Sequence, residues 1–94
     1  MKKKPGPMSY PDNPAHKREL LEILAAELPP VIARKAVERH LGGLVTTKTM
    51  ANADAEGKGP KDPYAVGRNI VYRREALLEF IGNNFSVQRL ETLI

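Results

Sequence analysis

The chain alternates between stretches with helical apolar spacing and short stretches broken by proline or glycine. Over residues 15–28, Leu20, Leu21, Leu24 and Leu28 fall on one side of an amphipathic helix, with Ile23 alongside. Lys17, Glu19, Glu22 and Glu27 fill the polar side. Asn13 stands at an N-cap position, and Pro14 follows where a helix needs no N–H. Pro29-Pro30 ends the pattern, because neither residue can donate to a helix. This helix reads as a brace on the rest of the domain, with a dimerisation helix as the alternative.

Residues 33–41 predict a second, shorter helix with Ala36, Val37, His40 and Leu41 inward. Ala33 is a poor cap for it. Gly42-Gly43 closes it, since glycine accepts the positive φ that ends helices. Leu44 and Val45 are expected to return to the core. Thr46 then caps a helix over 47–55, with Met50 and Ala53 inward and Thr47, Lys48, Ala51, Asn52 and Ala55 outward. Gly57, Gly59, Pro60 and Pro63 predict a loop. Tyr64-Ala65-Val66 and Ile70-Val71-Tyr72 are β-prone runs joined by Gly67-Arg68-Asn69, which predicts a hairpin over 63–72. Two strands alone are marginal, so they must pack on the helices, through Val66, Ile70 and Tyr72. A helix over 74–82 follows, with Ala76, Leu77, Leu78 and Ile81 inward and Gly82-Asn83-Asn84 as its stop. Ser86 is placed to cap a short last helix, 86–93, acting as a lid or a partner surface.

Residues 1–14 hold Pro5, Gly6, Pro7, Pro11 and Pro14 beside Lys2, Lys3 and Lys4. That composition predicts a flexible basic tail, which either solubilises the protein or adds phosphate contacts. Residues 15–94 then form one domain. The expected fold is mainly α with a small β-hairpin: a brace helix, a helix-turn-helix over 33–56, the hairpin and two closing helices.

Composition sharpens this picture mainly through charge. Ninety-four residues, 41% of them hydrophobic, suffice for one modest core. The net charge is +4. Residues 1–30 carry five cations and four anions, residues 31–75 nine and five, and residues 76–94 one and two. The balances are thus +1, +4 and −1, and the excess sits on the helix-turn-helix and hairpin. A solvated surface would explain the total; its location favours nucleic acid.

The chain has no cysteine, which removes disulfides, thiolate metal sites and Cys nucleophiles and suits a reducing cytoplasm. No apolar run reaches the roughly 18–20 residues that cross a bilayer. Lys2–Lys4 lack the apolar stretch of a signal peptide. His16 and His40 stand without a catalytic or metal-ligating constellation, and His40 reads as a packing residue. Gly57-Lys58-Gly59-Pro60 falls short of a phosphate loop. An enzyme, a cofactor, a metal and a small-molecule effector are therefore not expected.

The outward face of helix 47–55 is small and polar. Small side chains let a helix approach base edges, and Asn and Lys can hydrogen-bond to bases or phosphates. The same face would suit an ordinary surface helix. Its place after a glycine turn and before a basic hairpin favours groove recognition.

The series Ala36-Val37, Leu41-Gly42, Thr46-Thr47-Lys48-Thr49-Met50, Tyr64-Ala65-Val66-Gly67-Arg68-Asn69-Ile70-Val71-Tyr72 and Arg74-Glu75-Ala76-Leu77-Leu78-Glu79-Phe80-Ile81 resembles the excisionase-like, MerR-related winged helix-turn-helix domains. AlpA-type prophage regulators and phage excisionases belong to that group. The resemblance covers about residues 33–82, and the hairpin with its following helix is the most specific part. It implies a small DNA-binding protein, a transcription regulator or an excisionase-like architectural factor of a mobile element. Thr47, Lys48, Ala51 and Asn52 would then face the major groove. Arg34, Lys35, Thr46 and Thr49 would lie near phosphates, and Arg68 and Asn69 would form the wing tip. The partner would be double-stranded DNA. One short helix and one wing make a small interface, so cooperative self-association or a recombinase or polymerase partner is expected to assist.

Three departures accompany the resemblance. Gly43-Leu44-Val45 makes the turn about two residues longer than the family's. Ala33 replaces the usual Ser or Thr cap. The long dimerisation helix and effector domain of MerR regulators are not seen. A rival reading keeps the scaffold as a protein-interaction module, which Asp54, Glu56 and Asp62 favour.

Overall fold

Pro29-Pro30 does more than stop the first helix. It holds the backbone extended and delivers Val31-Ile32-Ala33 to a β-sheet. A computed structural model describes residues 10–90 and shows this third strand. The order is α1 (Pro14–Glu27), β1 (Val31–Ala33), α2 (Arg34–His40), α3 (Thr47–Ala55), β2 (Tyr64–Val66), β3 (Asn69–Arg73) and α4 (Arg74–Asn84). The described residues form a small α+β domain of four helices and a three-stranded antiparallel sheet, rather than helices with a lone hairpin.

The sheet order is β1-β3-β2. Val31 pairs with Arg73, Ile32 with Tyr72 and Ala33 with Val71. Tyr64 pairs with Val71, Ala65 with Ile70 and Val66 with Asn69. Central β3 therefore gains a partner on each side, which relieves the marginality of a two-stranded hairpin. Side chains alternate across the sheet. Ile32, Ile70 and Tyr72 share the inner face, while Val31, Ala33, Tyr64, Val66, Val71 and Arg73 share the outer one.

This register corrects the expected packing of Val66, which stays 57% exposed. The hairpin turn is also tighter than expected. Val66 and Asn69 pair directly, so the loop is Gly67-Arg68 alone. Gly67 has φ +63°, the first-position requirement of a type II′ turn.

The core gathers Leu28, Ile32, Val37, Leu41, Val45, Met50, Tyr72, Leu77, Phe80 and Ile81. Two sequence expectations fail here. His40 is exposed, and Leu44 is 49% exposed while Val45 alone turns inward. A buried imidazole would need a hydrogen-bonding partner, and Gly42-Gly43, both at positive φ, carry Leu44 outward.

α1 begins as expected. Asn13 Oδ1 accepts from the N–H groups of Ala15 and His16 at 3.0 and 3.1 Å, and Pro14 follows. Leu28 is its deepest anchor although it lies just beyond the helix. Leu21 and Leu24 pack on the core more shallowly, in keeping with a brace. α4 runs through Gly82 to Asn84, and Leu21 lies against Gly82. Over residues 85–90 the expected last helix does not form. That segment lies along the start of α1 instead. The Asn13 N–H donates to the Val87 carbonyl at 2.8 Å, and the Val87 N–H donates to Asp12 Oδ1 at 2.9 Å. The rest of the expected last helix, and most of the expected basic tail, lie outside the described residues.

Candidate nucleic-acid interface

α3 carries the candidate site, and its two faces are chemically distinct. Thr46 caps it: its Oγ1 accepts from the Thr49 N–H at 3.0 Å and lies 2.9 Å from Thr49 Oγ1. The first turn is thus held by two residues expected near phosphates. Met50 is fully buried, and Ala53 and Asp54 share its side of the helix. On the other side Lys48, Asn52 and Ala55 are exposed, with Thr47 and Ala51 partly so at the margin. The structure therefore brings Thr47, Lys48, Ala51 and Asn52 onto one accessible polar stripe.

A polar network behind α3 fixes its position. The Asp54 carboxylate accepts from the Tyr72 hydroxyl and from Arg34 Nη1, the latter at 2.9 Å. This joins the first residue of α2, the last turn of α3 and the central strand. Tyr72 is fully buried, and burial, reinforced by the bond to Asp54, pushes its phenol well above the usual range. The hydrogen bond that Arg34 donates to the Asp54 carboxylate favours the charged guanidinium and raises its pKa against the opposing effect of burial. The loop after α3 closes tightly on this group: a Cβ at Gly59 would sit 1.9 Å from Asp54 Oδ1. The sequence offered Asp54 only as an acidic residue favouring an interaction module. The Met50–Asp54 spacing of four, which puts both on the buried side, was the signal that could have found it.

The remaining cations divide by what they touch. Arg73 pairs with Asp62 at 3.6 Å, Arg74 with Glu75 at 3.6 Å and Lys61 with Glu79 at 3.5 Å. Arg74 Nη1 also donates to the Leu28 carbonyl at 3.0 Å, tying α4 to the end of α1. Lys35 and Arg39 on α2, Lys48 on α3, Lys58 in the loop and Arg68 at the hairpin tip are exposed and enter no ion pair among the described residues. Asn69 is exposed beside Arg68, as the first residue of β3.

Two features run against an anionic ligand. Arg34 is committed to Asp54. Glu38 Oε1 accepts from the Thr47 N–H at 3.2 Å, which sets a carboxylate at the start of α3.

Among the described residues, no group of three or more His, Cys, Asp or Glu side chains gathers to hold a metal ion. No described helix is long and apolar enough to cross a membrane. Comparison with family models, curated proteins and solved structures finds no match to this chain.

Proposed function

We propose that the protein is a winged helix-turn-helix DNA-binding protein that lays α3 in the major groove, with the β2–β3 hairpin as its wing. One observation carries the reading. Five exposed, uncommitted cations, Lys35, Arg39, Lys48, Lys58 and Arg68, lie on α2, on α3, in the loop after it and at the hairpin tip, and α3 presents a small polar outward face. The succession of helix, strand, two helices and hairpin agrees with that architecture. Lys35, Arg39 and Arg68 would neutralise phosphates and set register. Lys48, Ala51 and Asn52 would approach base edges, with Thr47 at their margin. Thr46 and Thr49 hold the first turn, and their remaining hydroxyl capacity would face phosphate. A role as transcription regulator or excision factor rests on the resemblance alone.

Selection of bound sequences from a random duplex pool tests this. The wild-type protein should enrich a short motif, and Asn52→Ala should relax one position of it, costing about 1–3 kcal/mol if the contact is bidentate. Absence of enrichment, with no affinity for any duplex at low salt, would overturn the proposal. The rival reading, an interaction module without DNA binding, is favoured by the internal use of Arg34 and by Glu38 at the start of α3.

A further inference from the structure

The outer face of the sheet carries an exposed apolar strip, with Arg73 at one end and Asn69 beside the Arg68 tip at the other. Cross-strand pairing sets Ala33, Val71 and Tyr64 in one row across all three strands. Val31 continues the strip on one side of that row and Val66 on the other. Val31, Tyr64 and Val66 are 52, 53 and 57% exposed. The inner face is spent on the core through Ile32 and Tyr72, so nothing in the domain's own packing requires these residues to be apolar.

We infer that this face docks an acidic amphipathic helix of a partner protein. Strand addition is the poorer alternative. Both edge strands are three residues long, and Pro30 and Pro63 adjoin them, a combination that guards edges against pairing. The face carries no such guard. Three strands about 4.8 Å apart make a strip roughly 10 Å wide, the width of one helix.

Charge selects the partner. The cations that the register sets at the rim of this face are Arg73, paired with Asp62, and Arg68 at the tip; Lys61 and Arg74 are engaged with Glu79, Glu75 and the Leu28 carbonyl. Arg73 shares the outer face and is held only by a solvent-exposed pair with Asp62 at 3.6 Å. Arg68 stands at the opposite end, at the tip. A second copy would set these arginines against their own kind, whereas a helix with Leu or Phe on one side and Asp or Glu along its flanks meets both demands. The apolar strip lies on the sheet and not on α3, and it shares Arg68 and the hairpin with the proposed wing, so the inference does not require α3 to read DNA and is tested without DNA.

A displayed library of amphipathic helical peptides with randomised flanks tests this, selected on the wild-type domain without DNA and counter-selected on Tyr64→Ser/Val66→Ser. Enriched peptides should be acidic along the apolar stripe and should shift the amide signals of Val31, Tyr64, Val66 and Val71. Binding should weaken at least tenfold in the double variant and several-fold in Arg73→Gln, whose apolar strip is intact. Both positions of the double variant are exposed; Val31→Ser supplies the same reading should that variant unfold. Failure to enrich, enrichment of basic flanks, or undiminished binding to folded Tyr64→Ser/Val66→Ser would overturn the inference. So would concentration-dependent dimerisation that Tyr64→Ser abolishes, which would make the occupant a second copy.

Discussion

Replacing Asp54 by alanine should destabilise the fold far more than loss of an ordinary surface acid. The carboxylate accepts from a fully buried tyrosine hydroxyl and from Arg34, and its own side chain is only 18% exposed. Among the described residues the buried Tyr72 hydroxyl has no other acceptor, so losing Asp54 costs about 1–3 kcal/mol. The Arg34 side chain is 30% exposed and partly rehydrates, adding roughly 0.5–1 kcal/mol. The sum, about 1.5–4 kcal/mol, is a large share of the 5–15 kcal/mol typical of a domain. It corresponds to a fall in Tm of roughly 6–30 °C. Urea unfolding followed by circular dichroism measures it. Asp54→Asn keeps an acceptor and should lose less. Tyr72→Phe removes the orphaned donor, so the double variant Asp54→Ala/Tyr72→Phe should cost less than the sum of the singles by about 1 kcal/mol or more. A loss below about 0.5 kcal/mol in Asp54→Ala, or strict additivity in the cycle, would refute the network as the anchor of α3.

Three other outcomes follow from the same geometry. Gly59→Ala would drive a Cβ into the pinned Asp54 carboxylate and should cost roughly 1–3 kcal/mol, with the loss largely absent in an Asp54→Ala background. Tyr72 keeps its proton in the folded state to higher pH than in the unfolded state. Its stabilisation is therefore complete below about pH 10 and declines above it, and Tyr72→Phe should flatten that decline in alkaline denaturation. Asp12 is held below the usual carboxylate range, first by the Val87 N–H and then by Lys17. Its contribution is therefore present above about pH 4 and is lost as pH falls through the lower folded value; the Val87 amide should lose exchange protection there, and Asp12→Ala, which removes the acceptor, should lose it already at neutral pH.

The helices were legible because their signals are local. Asn13 with Pro14, and Thr46 with its 47–55 stripe, are caps read within one turn, and both form as written. β1 was not legible. Three residues carry no periodicity, and the strand exists only because Val31 meets Arg73 forty-two positions away. The same long-range register decides that Val66 faces outward, which the apolar pattern of the hairpin could not show. Residues 85–90 keep apolar side chains at helical spacing, but backbone bonds to Asp12 and Asn13 hold Val87 along α1. Within the candidate site, the outward stripe of α3 followed from helix geometry alone. The partners of Arg34 and Asp54 did not, since an ion pair across twenty positions leaves no mark on the sequence.

Titration of a fluorescent duplex by anisotropy across a salt series tests the central claim most directly. With three to five of the uncommitted cations at phosphates, log K should fall against log salt with a slope of about −3 to −4.5. Arg68→Ala should weaken binding to every duplex and make the slope shallower by about one. Absence of binding at low salt, or an Arg68→Ala protein with wild-type affinity and slope, would contradict the claim that α3 and the hairpin form a DNA-binding surface.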